Sequence, residues 1–181
     1  MKLRASVLGF IALFSASLVA KPSVTIGKQV FILAYEEKAK SGALREFLPL
    51  GESLDSWEHL VAIREFRTIA EPKQYIVSFA QQYRVQNPTA KFMITEDKVK
   101  GDWLIDFMHA SPDPKVRFIE WNVFRARKAK EGIVVFQYAA RYRYKDAVSE
   151  ILAVVPKFGS EMSQIVYAAE FEEKDEPNQA P

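Results

Sequence analysis

Four stretches in the second half of the chain follow one another almost without pause: Lys91 to Thr95, Trp103 to His109, Arg117 to Arg127 and Ile133 to Tyr144. Between them stand only short breaks, among them Gly101-Asp102, Ser111-Pro112-Asp113-Pro114 and Lys128 to Gly132. Parallel pairing needs a crossover of about a dozen residues or more, so breaks this short predict an antiparallel meander. In the last stretch Val134, Phe136, Tyr138, Ala140, Tyr142 and Tyr144 fall on one face, and Gln137, Arg141 and Arg143 on the other. A period of two with that partition describes a sheet with one face in the core and one in water.

The first half is less uniform. Val30 to Tyr35 (VFILAY) reads as a strand, and Ala43 to Leu50, ending at Gly51, as a second. Leu54 to Phe66 carries both periods: Trp57, Leu60 and Val61 fit a helical face behind Asp55, while Leu60 to Phe66 fits a half-buried strand. From Pro72, Ile76, Phe79, Ala80 and Tyr83 fall at helical spacing, with proline in the first turn and Asn87-Pro88 as the stop. A second helical period runs from Asp146 through Ile151, Val155, Phe158, Met162, Ile165 and Val166, interrupted by Pro156, where a kink or a break is expected. Residues 172–181 (EEKDEPNQAP) read as a disordered tail. The expected organisation is one α+β domain over residues 21–171, a twisted antiparallel sheet with helices packed on it. The alternative is a cystatin-like or NTF2-like cone, a curved sheet wrapped around one helix.

Residues 1–20 are read apart from the domain. Lys2 and Arg4 precede the apolar run Ala5 to Ala20, which turns small and polar at Ser15 to Ser17, the pattern of a secretory signal peptide. The run is shorter than the roughly 20 apolar residues that span a bilayer, so no stable membrane span is expected after processing. Cleavage is expected after Ala20, with Ser17, Val19 or an uncleaved anchor as alternatives, since Leu18 is large for its position. Removing the segment takes away two basic residues and no acid, so 25 Lys and Arg become 23, equal to the 23 Asp and Glu. A chain without net charge lacks the basic surface that nucleic acid requires, and no such partner is expected. Without cysteine there is no disulfide, thiolate nucleophile or Cys-ligated metal. The periplasm is the expected location, with the extracellular medium as alternative.

The residues offer little catalytic chemistry. His59 and His109 stand outside any metal-ligand spacing, Gly159-Ser160-Glu161 lacks the nucleophile elbow, and no phosphate-cradling glycine loop occurs. No cofactor or metal is expected. Asp102 and Asp106 share a face of one strand but lie about 13 Å apart along it, too far for a glycosidase-like acid and base pair. The reading is therefore a non-catalytic module binding an envelope protein or a small ligand, against the alternative of an envelope hydrolase using Asp102, Asp106 and His109. Arginine and tryptophan dominate interface energetics, so Trp121, Arg125, Arg127, Arg141 and Arg143 form the candidate binding patch, against the plainer reading that the arginines pair with Glu120, Asp102 or Asp106 as ordinary solvated charges. A loop pairing Arg127 with Ile133 would set Trp121 and Val123 on one face with Gln137 and Arg141, and a slip of one residue would separate them.

Gly51 to Trp57 (GESLDSW), Asp106-Phe107, Glu120 to Arg125 (EWNVFR) and Gln137 to Arg141 (QYAAR) resemble, in order and spacing, a family of small secreted bacterial proteins of unknown function. The likeness covers about Val30 to Tyr167, and its wider fold is similar to the PsbP-like and DcrB-like α/β/α sandwich. That resemblance implies helices on both faces of the sheet and a strand at Leu60 to Phe66. It implies no catalytic residues, and the role of PsbP relatives beside a metal-containing complex has no matching residues here.

Overall fold

Alternating side chains become strands along most of the chain. The computed structural model describes residues 21–88, 90, 92–110 and 118–143. In chain order these hold β1 (Ser23–Ile26), β2 (Gln29–Ala39), β3 (Gly42–Pro49), β4 (His59–Phe66), α1 (Pro72–Gln86), β5 (Phe92–Asp97), β6 (Asp102–Ala110), β7 (Phe118–Lys128) and β8 (Ile133–Arg143). All strands join one antiparallel sheet in the order β1-β2-β3-β4-β8-β7-β6-β5. Two meanders of four strands therefore meet where β4 pairs β8, with α1 as the link between them.

The two faces carry separate cores. On the helix face Ile76 and Ala80 of α1 pack against Ile105, Phe107, Phe124, Ala126, Ile133 and Val135, with Phe79 wedged among the rings of Phe107 and Phe124. Burying Ile76 completely contributes roughly 1.5–3 kcal/mol, so docking against the sheet holds the helix more than any cap does. Its entry is set by Pro72 at the first position and by Lys128, whose ammonium reaches the carbonyl of Ala70 and the carboxylate of Glu71. On the far face Phe31, Phe47, Val61, Trp121, Val123, Phe136 and Tyr138 form a second core. Phe31 of β2 meets Tyr138 of β8 edge to face, with ring centroids 6.3 Å apart, across two intervening strands. Strands spaced about 4.8 Å apart bring such rings together when the sheet coils inward, and a register shift in β2 between Leu33 and Tyr35 assists that coiling.

The sandwich expectation is corrected. The described residues are 59% strand and 13% helix, a nearly all-β sheet with one short helix, so neither helices on both faces nor the cone describes it. The physical reason is that the far face packs its own side chains against one another as the sheet coils. The helical period expected from Asp146 to Val166, the first twenty residues and the tail at 172–181 lie outside the described residues. Leu60 to Phe66 resolves as strand, and β1 is an element that the sequence pattern did not announce.

Candidate functional site

The register of the β7–β8 hairpin decides the fate of the predicted patch. Lys128 pairs with Ile133 around a four-residue loop, one position away from the pairing of Arg127 with Ile133. Gly132 takes φ +72° there, and Ala129 donates its N–H to the Gly132 carbonyl at 3.1 Å. Trp121, Arg125 and Arg127 consequently lie on the far face with Phe136 and Tyr138, while Arg141 and Arg143 lie on the helix face. The five residues do not form one surface.

On the far face Arg125 is 1% exposed and Asp102 not at all. Arg125 Nε donates to Asp102 Oδ2 at 2.6 Å, a second nitrogen of the same guanidinium closes on that oxygen, and Arg127 approaches the carboxylate at 3.2–3.3 Å. A buried carboxylate held by two guanidiniums is compensated but not free, because its desolvation is balanced by those contacts alone. Asp106 accepts a hydrogen bond from Trp121 Nε1 at 2.5 Å. Position 109 lies an odd step from 106 in an unbroken register, so it belongs to the other face. Asp102, Asp106 and His109 are not brought together.

On the helix face a polar seam runs across three strands. Arg64 of β4 donates to Gln137 Oε1, Gln137 Nε2 to Asn122 Oδ1 at 2.7 Å, Asn122 Nδ2 to Glu120 Oε1 at 3.0 Å, and Arg141 to Glu120 Oε2 at 3.0 Å. The Arg141 guanidinium lies between the rings of Trp57 at 3.8 Å and Phe118 at 4.4 Å. Burial pushes the Arg64 guanidinium below its ordinary value, opposed by the nearby Tyr75 and Glu46, and burial raises the Tyr75 phenol, opposed by Arg64. Nearby, Glu52 closes the loop before β4 by accepting the N–H groups of Glu58 and His59, and His59 Nδ1 lies 2.8 Å from the Tyr138 hydroxyl. The segments that carried the resemblance thus converge on one another, and their polar groups are spent inside the sheet. Arg64 was not singled out by pattern, although a lone arginine inside the run Leu60 to Phe66 signals a partner across the strand.

A different surface is left open at the end of the sheet. α1 packs over β6 and β7, and its flank stands beside β5 without covering it. Val77, Ala80, Gln81, Arg84 and Val85 form one wall and Phe92 and Ile94 the floor of a groove of about 430 Å³. Val85 is 81% exposed. Arg84 lies over the Phe92 ring at 4.6 Å, and Lys73 over Trp103 at 4.9 Å marks the other end. This surface was not predicted; its parts come from a helix flank and a strand edge that only the fold makes neighbours.

Among the described residues no group of three or more His, Asp or Glu is placed to hold a metal ion, and no helix is long and apolar enough to cross a membrane. No curated protein matches the chain, and no solved structure does. A family model does match, over residues 18–167, and the chain belongs to that family, whose function is uncharacterised.

Proposed function

We propose that the protein is an exported, non-catalytic binding module of the periplasm, or of the extracellular medium, that engages its partner at the flank between α1 and β5. One observation carries this reading: the apolar groove beside β5 is open, while Arg125 and Arg127 are engaged with Asp102 and Arg141 with Glu120. An exposed valine and a floor of phenylalanine and isoleucine beside a lining arginine make the kind of surface that interfaces use, an apolar centre with a polar rim. Arg125, Arg127 and Arg141 act in this reading as internal supports, and Arg143 as a strand-end charge.

Photo-crosslinking in the native host tests both parts. With a benzoyl-phenylalanine residue at position 85, the expected result is a discrete adduct that is missing when the same residue is placed at position 143, and the intact mass of the recovered protein is expected to lack residues 1–20. An adduct at 143 alone would return the site to the arginines. A cytoplasmic chain that retains Met1 would remove export.

A further inference from the structure

We infer that the groove takes an extended peptide segment, which adds to β5 as a further strand and presents a carboxylate to Arg84. The inference rests on the binding reading above and names the class of partner.

The edge is the first argument. β5 pairs with β6 on one side and, among the described residues, with no strand on the other, so alternate residues of Phe92–Asp97 turn both N–H and C=O outward. Its only charged residues, Glu96 and Asp97, stand together at one end. β5 has no proline and no lysine, and its register with β6 runs without a bulge. The opposite edge of the sheet, β1, is by contrast only four residues long.

Dimensions give the second. Val77, Gln81 and Val85 recur at four-residue intervals and so form a single stripe along α1, spanning about 12 Å at 1.5 Å per residue. About four residues of strand cover the same length at roughly 3.3 Å each. Phe92 and Ile94, two apart on the floor, have the repeat that the inward side chains of an added strand would share. Two apolar side chains at positions i and i+2 of the partner therefore fit between the stripe and the floor, with its backbone on the β5 edge. An acyl chain would fill the groove without using that edge.

Charge supplies the third argument. α1 contains no Asp or Glu, and its lysine and arginine flank the groove at its two ends. At the β5 end, Asp97 is already engaged, accepting the N–H groups of Val99 and Lys100, which hold its carboxyl below the usual range. Contact with the Phe92 ring engages no N–H donor of Arg84, which stays available to a carboxylate. The favoured partner is an extended segment with two apolar residues two apart and an Asp or Glu next to them at the Phe92 end, a strand-addition mode of recognition.

The test uses the full mature protein and a displayed library of random dodecapeptides, with enriched sequences synthesised and measured by fluorescence anisotropy. The expected sequences carry apolar residues two apart beside an acid. On saturation with such a peptide, alternate β5 amides should exchange hydrogen at least about tenfold more slowly, while β7 amides stay unchanged. Methylating the peptide nitrogens that face β5 should weaken binding at least about tenfold, and methylating the intervening ones should not. Arg84→Glu, at an exposed position, should weaken it about tenfold with β7 exchange intact as proof of folding. Failure to enrich any peptide, unchanged β5 exchange on binding, or indifference to methylation overturns strand addition. Displacement of bound peptide by dodecanoate or by dioleoylphosphatidylglycerol vesicles, both in an Arg84-dependent manner and with β5 exchange unaffected, assigns the groove to an amphiphile and overturns it equally. An adduct at position 85 alongside any of these leaves the binding module standing and removes only the strand.

Discussion

Arg125 and Arg84 show two ways in which one chain uses the same side chain. Arg125 lies in the middle of the sheet, 1% exposed, with its guanidinium bound to the buried Asp102. Arg84 lies at the end of the sheet, over one ring and beside an open groove. The first cannot serve a partner without leaving a carboxylate uncompensated in the interior; the second loses little by turning to one. Residue type alone does not reveal a binding site, because a guanidinium is consumed wherever the fold supplies an acid within reach.

The comparison breaks first at its buried half. Asp102→Ala should lower the unfolding free energy by roughly 3–5 kcal/mol in urea titration, since Arg125 is left without its main counter-charge, whereas Asp102→Leu with Arg125→Met should recover most of the loss. A loss below 1 kcal/mol for Asp102→Ala would make the pair as dispensable as a surface contact. Ile76→Ala tests whether the helix that builds the groove is held by the sheet: about 2–5 kcal/mol is expected, together with loss of peptide binding. Gly132→Ala probes the loop that divides the predicted patch. A Cβ there would come within 1.9 Å of the Phe66 carbonyl oxygen at φ +72°, so a destabilisation of about 1–3 kcal/mol is expected by the same titration.

Alkaline pH offers a milder probe of the far face. Burial raises the Tyr138 phenol, with the nearby Tyr142 and Glu52 adding to it, and pushes Tyr142 up to about 12 from an ordinary 10.0. A phenol whose folded value is raised gives stability that is complete below pH 10 and is lost as pH climbs from there through the folded value, because the unfolded chain ionises first. The urea midpoint should therefore be flat between pH 7 and 9 and fall between pH 10 and 12, with a smaller fall in Tyr142→Phe. At the open half the effect on stability is smallest: Val85→Asp should change it by less than about 0.5 kcal/mol while abolishing the crosslink at its neighbours.

Much of the sheet was legible because its strands are long and alternate strictly. The face of β8 that carries Phe136 and Tyr138 follows from period two, and α1 follows from Pro72, Ile76, Ala80 and the stop at Asn87. β1 is four residues long beside Lys21 and Pro22, too short for a pattern to declare itself. The hairpin register stayed open between two neighbouring pairings because composition gives the turn region but not the residue at which Gly132 turns left-handed, and in a sheet that single step separates Trp121 from Gln137 and Arg141. The polar seam from Arg64 to Arg141 was half visible as scattered Gln, Asn and Glu in strands; what joins them is pairing between segments far apart in sequence. The groove had no signal of its own, since Val77 and Ile94 are unremarkable in their separate elements.

Sheet order also fixes when the molecule can be completed. β4 pairs with β3 on one side, but its other edge finds a partner only in β8, so His59 waits for Ala140, and the first meander must form with that edge of Leu60, Val61, Ala62 and Ile63 unpaired until the last described strand has been made. Contacts so distant along the chain slow folding, and an unpaired apolar edge invites pairing with the wrong chain in the interval. The closing of β4 on β8 is thus the step on which yield depends, and a helper that binds extended chain during synthesis would act by shielding β4.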